Sequence, residues 1–567
     1  MKPENQKTLF LFFWLGLCAF VVLLYWPSLN SPFVYDDKIE VIGNRTIRDL
    51  SNWKAIAGYN PSRVILQFTY AFNLHQSQPD PFDPSVYHIT NLVIHCLSIG
   101  AALWMCLALH PLVHDKKSFP FFALVVTALW SIHPMGSESV IYITGRSESL
   151  CALFSFLTIG TWAQSLHTTT HSLLWKVAGF LCMLLACTTK EVGLMLPFVL
   201  IALERTCTEK WEWKAHIPFA LIIFGGISMR IIGLMQDDQD LSDIAQKFIP
   251  RESDRSMPTQ IRTQAEVWLR YIGLWAVPVK QTIYHHIQDR SGQSITDYAG
   301  ILGWITGLIV GWRLTRNYPL SRFALIAGAL LLMPSSSFAP LRENMAEHRA
   351  HQWGLFLILA LCGFQATKKH LLLLCILLLP LGYATHQRNL VWKTEIGLWK
   401  EALDYSPQEA EAWYGYGQAL YFGKQVNEAK QAFTQCVMLD KNYLDGWISL
   451  GITRAMTNDV KGATTAWQTV LRQKPPKTWQ YFHCKAHNNL GMLAAQQQQW
   501  KLAKSELHST LNICPDDLLA HYALGELYYD PLFDKKKAIY YYERLLHLDP
   551  TFDRAEEVRK KLLKLTW

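Results

Sequence analysis

Along the first two thirds of the chain, apolar runs of roughly 12 to 22 residues alternate with polar connections, a spacing too long for strands. The first, Thr8–Trp26, follows Lys2 and Lys7 and is succeeded by Tyr25-Trp26-Pro27, not by small residues, so it predicts an uncleaved first span with its N terminus in the cytoplasm. Further runs predict spans near 88–109, 119–133, 149–166, 173–189, 192–203, 216–235, 299–312, 322–339, 351–366 and 371–386. A crossing takes about 20 apolar residues, so the 192–203 run must borrow flanking ones. Segment 264–279 is short and holds Glu266 and Arg270. If it crosses, there are twelve spans; if it lies in the interface, eleven. Eleven keeps Lys116, Lys117, Lys176, Arg205, Lys210, Lys214, Arg313, Arg316, Arg322, Lys368 and Lys369 all on the cytoplasmic side, as the excess of positive charge on that side requires. The expectation is therefore about eleven spans, with loops 27–87, 134–148, 236–298 and 340–350 on the outer face.

Beyond residue 390 the pattern shifts to amphipathic helices with a period near 34. Trp413, Gly417 and Leu420 are followed by Ala429, Phe433 and Cys436; Trp447 and Gly451 by Ala463, Trp467 and Pro475. Gly491, Ala503, Leu507 and Pro515 make a third unit, and Gly525, Tyr528, Ala538, Tyr542 and Pro550 a fourth. Small residues where paired helices cross and Pro at the turn are the tetratricopeptide (TPR) pattern. Trp399, Ala402 and Pro407 form a half repeat before it, and 551–566 a polar-faced cap. Trp413, Trp447, Trp467, Cys436 and Cys514 are expected in the solenoid core. The fold class is all-α, a polytopic membrane domain over 1–390 and a TPR α-solenoid over 391–567 on the non-cytoplasmic side.

Composition agrees with this division. The chain of 567 residues is half hydrophobic and 17% charged; residues 391–567 carry 22 Lys+Arg and 20 Asp+Glu, an ordinary soluble density, whereas 1–390 carry only 31 and 25. The net charge of +8 therefore lies mostly in membrane loops and does not indicate nucleic acid. The twelve cysteines include no C-x-x-C, and no disulfide or zinc framework is expected.

Unusual polar residues gather in the outer loops. Asp36 and Asp37 stand about ten residues past the first span; adjacent carboxylates point apart, so one suits a general base and the other a structural or cation-holding role, with a solvated turn or helix cap as the plain alternative. His88, Asn91 and His95 share one face of an apolar span, as polar packing or as ligand contacts. Glu138, Arg146, Lys190 and the run Glu347-His348-Arg349 follow other spans, and Arg63 lies in the first loop. Basic groups on the outer side run against the charge rule. An anionic lipid phosphate would account for Arg63, Arg146, Lys190 and Arg349; each could also be a salt bridge, Lys190 with Glu191 or Glu138.

The stretches Phe-Val-Tyr-Asp-Asp, His-x-x-Asn-x-x-x-His, His-Pro-x-x-x-Glu-x-Val-x-x-x-x-Gly-Arg, Lys-Glu-Val-Gly and Ala-Glu-His-Arg-Ala, in this order and followed by repeats, resemble the GT-C integral-membrane glycosyltransferases. The nearest branch is the TPR-containing protein O-mannosyltransferases and their bacterial relatives. The resemblance implies a polyprenyl-phosphate-linked sugar donor and transfer on the non-cytoplasmic face to a protein or glycan hydroxyl. It implies Asp36 as base with Asp37 beside it, and Arg63, His88, Asn91, His95, Glu138, Arg146, Lys190, Glu347 and Arg349 as substrate-binding candidates. No cofactor is required, a divalent cation (Mg or Mn) being an option with no ligand set assigned. Partners are the lipid donor, the bilayer and a protein on the concave face of the repeats. The compact loops favour a bacterial inner membrane with periplasmic repeats, the alternative being the endoplasmic reticulum with lumenal ones. The chain departs from the pattern at Arg63-Val64, Tyr284-His285-His286 and Ala350-His351-Gln352. Two other readings stay open: a catalytically inactive scaffold that works through its repeats, and an O-antigen-ligase-like oligosaccharide transferase in which Arg251 and Arg255 would carry function.

Overall fold

The computed structural model describes residues 3–109, 111, 119–208, 213–221, 255–338, 341, 343–362, 368–473, 480–550 and 552–566. Among them every regular element is helical. The chain divides into two compact units, Met1–Tyr405 and Ser406–Trp567.

The first unit contains α1 (Pro3–Tyr25), α2 (Trp53–Tyr59), α3 (Val64–Gln76), α4 (Pro84–Ala108), α5 (Phe119–Ile132), α6 (Arg146–His167), α7 (Ser172–Cys187) and α8 (Leu196–Cys207). It continues with α9 (Met257–Ala276), α10 (Ala299–Leu314), α11 (Pro319–Leu332), α12 (His351–Cys362), α13 (Lys368–Ile376), α14 (Leu378–Val391) and α15 (Glu395–Tyr405). Among the described residues four stretches are long and apolar enough to cross a bilayer: Thr8–Ser28, Pro84–Ala108, Arg146–His167 and Ile295–Asn317. Phe121–Ile132, Ser172–Cys187 and Pro319–Leu332 are shorter apolar helices. Helices α4, α6 and α7 pack side by side, and α11 packs on α12. Gly160 of α6 lets α4 come close: a Cβ there would lie 2.6 Å from the Trp104 ring.

One predicted span is broken in two, and another extends outside the described residues. The 216–235 span runs beyond residue 221 and lies outside the described residues, as do 236–254 and Arg251. The 371–386 span is two helices, α13 and α14, broken at Leu377 three residues before Pro380. Segment 264–279 is the larger part of α9, a 20-residue amphipathic helix. One face buries Thr263, Val267, Trp268 and Tyr271, while Glu266 pairs with Arg270 and Arg290 at 2.8 and 2.5 Å.

The loop after the first span, 27–87, is a folded cap. Phe33, Val41, Ile47, Ile56, Leu66, Tyr70 and Tyr87 form one buried cluster with Ile143 of the 134–148 segment. Helix α15, expected as the half repeat, belongs to the first unit. Its Glu395 accepts Lys38 at 2.6 Å, its Glu401 accepts the buried Arg388, and Trp399 lies 5.9 Å from the Tyr35 ring. These contacts place the division of the chain after Tyr405 where the sequence pattern places it at 390.

The second unit consists of helix pairs: α16 (Ala410–Phe422) with α17 (Val426–Leu439), α18 (Leu444–Met456) with α19 (Val460–Arg472), α20 (Gln480–Gln496) with α21 (Trp500–Ile513), and α22 (Leu518–Tyr529) with α23 (Lys535–Leu548). Helix α24 (Ala555–Thr566) ends it. The repeating glycine is explained at Gly451, where a Cβ would meet the Trp467 indole at 2.2 Å. Trp467 and Cys436 are core, as expected. Trp413 and Trp447 are half-buried and donate their indole N–H to Pro407 O and Lys441 O, both at 2.9 Å, so they lock the turn before their helix. Cys514 is not core: it sits at the end of α21, half-buried on a groove.

Candidate active site on the loop face

Asp36 and Asp37, which follow the left-handed Tyr35 (φ +49°), part, the first exposed and the second buried. Asp37 turns inward. Its Oδ2 accepts Val34 N–H at 3.1 Å and its Oδ1 accepts Thr144 N–H at 2.8 Å, so it ties the first loop to the 134–148 segment. Burial pushes its carboxyl up to about 7, against the pull of those two N–H groups. Asp36 is exposed, and its backbone N–H donates to the Tyr142 hydroxyl at 3.0 Å. On the other side, Tyr35 donates its hydroxyl to the carboxylate of Glu343. Burial raises Glu343 to about 7, with Arg349 pulling it down.

The His88–Asn91–His95 face of α4 is used for packing. His88 Nε2 meets Ser31 O at 2.9 Å and His95 Nε2 meets Ser131 O at 3.1 Å. Asn91 donates to Val140 O and Tyr142 O at 3.1 and 3.2 Å. Arg146, expected at the leaflet surface, is fully buried. Its Nε donates to Asn91 Oδ1 at 2.5 Å, Nη1 to Thr69 Oγ1 and Nη2 to Tyr87 O, both at 3.0 Å, and the guanidinium stacks over the Tyr70 ring. Each of its three nitrogens has a protein acceptor and the side chain is fully buried, so in this arrangement Arg146 joins α3, α4 and α6.

Lys190 pairs with neither Glu191 nor Glu138. It lies 2.6 Å from the buried Glu148 carboxylate in the first turn of α6, and Glu191 is held by Arg63 through two contacts of 3.1 and 3.2 Å. Arg349 donates to Glu343 O at 2.9 Å and has the Glu343 carboxylate 4.0 Å away.

Glu138 and Glu347 are both buried and are held differently. Glu138 meets His348 Nδ1 at 2.6 Å and accepts the backbone N–H of His348 at 3.3 Å. Burial, reinforced by the charge of Glu347, pushes it up to about 8. Glu347 accepts Gln281 Nε2, Thr282 N–H and His285 Nε2 at 2.7, 2.8 and 2.9 Å; these donors hold its carboxyl below the ordinary value despite its burial. Arg388 lies over the Trp392 ring and bonds Glu401 through Nη1, while its Nε and Nη2 meet no hydrogen-bond partner among the described residues. Sequence reading did not single out Gln281, Arg388 or a role for His348. They converge on the two glutamates from α14, the 277–294 segment and the 343–350 turn, and only folding brings these together. Arg255 is a tie inside the 255–344 region, bonded to Asn344 and to Leu341 O.

No group of three or more His, Cys, Asp or Glu that could hold a metal ion occurs among the described residues. An apolar groove of about 740 Å³ lies between α5, α9, α12 and α14, lined by Leu129, Leu361, Leu377 and Leu381 and closed by the stacked rings of His133 and Trp275. In the second unit, a cavity of about 600 Å³ runs across the repeats, lined by Tyr414, Gln418, Tyr481, Asn488, Cys514 and Asp517.

Two stretches, 410–443 and 519–551, match the tetratricopeptide repeat family. Over most of its length the chain is similar to proteins named protein O-mannosyl-transferases. It is 21% identical to human TMTC3, covering 89% of this chain and 61% of that protein. It is 22% identical to F38B6.6 of Caenorhabditis elegans, covering 75% and 62%, and 23% identical to Tmtc3 of Drosophila melanogaster, covering 81% and 58%. The chain thus spans about three fifths of the length of these relatives.

Proposed function

We propose that the chain transfers a sugar from a polyprenyl-phosphate donor to a hydroxyl of a protein, on the non-cytoplasmic side of a membrane. The observation that carries this reading is the separation of the two aspartates. Asp37 is consumed by two backbone N–H groups, and Asp36 is left exposed with its backbone fixed by Tyr142. The similarity to proteins named protein O-mannosyl-transferases along 89% of the chain supports the reaction class.

In this reading Asp36 accepts the proton of the acceptor hydroxyl as that oxygen attacks the anomeric carbon. The sugar–phosphate bond breaks with its electron pair on the phosphate, which Arg349 and Arg388 stabilise. Arg388 fits because two of its donors are unclaimed. The isoprenoid tail occupies the 740 Å³ groove, whose His133–Trp275 end adjoins the Pro134–Gln281–Glu347 contacts. The groove across the repeats receives the acceptor or a partner protein, and its Tyr, Asn and Gln side chains suit an extended peptide.

The test uses the full chain in membranes with polyprenyl-phosphate mannose and a Ser/Thr peptide. Asp36→Asn is expected to reduce transfer at least 100-fold. If transfer survives that change while loss of 406–567 abolishes function in cells, the scaffold reading replaces this one.

A further inference from the structure

Glu138 grips His348 twice, at the ring through Nδ1 and at the backbone through N–H, so the imidazole is fixed in orientation. Ser139 adds a third tie, donating its hydroxyl to His348 O at 3.3 Å. No hydrogen bond to the other ring nitrogen, Nε2, is formed among the described residues, and the side chain is partly exposed. Lys190, Arg349 and Arg63 act on the His348 ring, with Glu148 opposing them. Glu347, Arg388 and His285 act on Glu138. The His348 ring lies 6.1 Å from the Tyr142 ring, whose hydroxyl holds the backbone of Asp36. Tyr142 thus links Asp36 to the Glu138–His348 pair.

We propose that Glu138 and His348 form a proton-carrying pair that serves the departing phosphate, His348 as the catalytic acid and Glu138 as its positioning residue. This rests on the transferase reading above. The tautomer that fits has the Glu138 hydroxyl donating to Nδ1 and the proton of the ring on Nε2. Burial favours that neutral arrangement: it pushes Glu138 up to about 8 and His348 down to about 3. As the bond between the anomeric carbon and the phosphate oxygen breaks, the electron pair stays on that oxygen, which takes the Nε2 proton. The Glu138 proton moves to Nδ1, leaving a carboxylate and a neutral imidazole. The new bond forms from the acceptor oxygen, whose own proton goes to Asp36, and water returns that proton to Glu138 between turnovers. Arg349, which acts on the His348 ring, is the cation shared with the phosphate in this arrangement.

The experiment uses the full chain in lipid nanodiscs with polyprenyl-phosphate mannose, a Ser/Thr peptide, and polyprenyl phosphate as a binding probe. His348→Ala is expected to lower kcat about 100-fold, the scale of one lost general acid, with donor KM and polyprenyl-phosphate binding changed less than threefold. His348→Gln, which keeps a polar side chain of similar reach, is expected to give the same result and separates loss of the acid from loss of the fold. The unmodified protein is expected to lose activity as pH rises through about 8, and Glu138→Gln to remove that limb. A kcat within threefold of the unmodified value in both His348 variants overturns the pair and leaves the transferase intact. So does a loss confined to donor KM, which makes His348 a phosphate ligand only. An unmodified chain that binds polyprenyl phosphate but transfers no mannose overturns the transferase reading and this role together.

Discussion

Lys190 Nζ sits 2.6 Å from Glu148 Oε1, and both side chains are buried. A pair removed from water this completely leaves a strong penalty when one member is lost, because the survivor keeps its charge without a partner. Lys190→Met is expected to cost about 3–5 kcal/mol of stability, and Glu148→Gln added to it should recover much of that loss. Thermal unfolding of the two single variants and the double variant, read as a cycle, checks this. If Lys190 held a lipid phosphate and owed nothing to Glu148, the two losses would simply add.

Arg146 makes a different prediction from Arg63, Lys190 and Arg349. Its three nitrogens bond Asn91, Thr69 and Tyr87, so Arg146→Lys, which keeps the charge and forfeits the fork, should cost about 3 kcal/mol. Donor KM should stay within about threefold in whatever fraction folds. A large KM rise with an unchanged melting temperature would return Arg146 to the list of phosphate ligands.

Asp37 gives the cap a pH dependence. Its folded pKa of about 7 lies above the ordinary carboxylate value of about 4. The native state thus holds this proton more tightly than the unfolded chain does. Its contribution is complete below about pH 4 and fades as pH rises to about 7, above which it is level. Asp37→Asn should flatten that part of the stability curve. Hydrogen exchange at Thr144, whose N–H the carboxylate accepts, follows the same event locally.

Gly451→Ala should unfold the repeats early, by about 1–3 kcal/mol, since its methyl would fall on the Trp467 indole. Gly273→Ala is the control. It lies in the interior of α9 with open space around it, and the change should be neutral or favourable by up to about 1 kcal/mol.

The repeat architecture was legible because each unit writes its packing into one chain segment. A glycine meets an aromatic about 16 residues later, and the next unit repeats the pattern, as Gly451 and Trp467 do. The divergence of Asp36 and Asp37 was legible for a similar local reason, that adjacent side chains cannot share a face. Residues whose partners come from afar were misread. Arg146 looked like an exposed cation because nothing in sequence says that Thr69, Tyr87 and Asn91 close around it. For Lys190 the sequence offers a lipid phosphate, Glu191 or Glu138, whereas folding carries it to Glu148 and leaves Glu191 to Arg63. His348 and Arg388 carried no signal beyond residue type, and their importance arises from the two buried glutamates that folding sets between them.

The helix Glu395–Tyr405 bears on how the chain can be cut. A truncation after residue 390, where the amphipathic pattern begins, would strip the counter-ions from Lys38, two residues past Asp36, and from Arg388, beside Glu138 and Glu347. A fragment so shortened would report an electrostatic wound as if it were the contribution of the repeats. A cut after Tyr405 keeps both ion pairs, and only that cut asks what the solenoid itself adds.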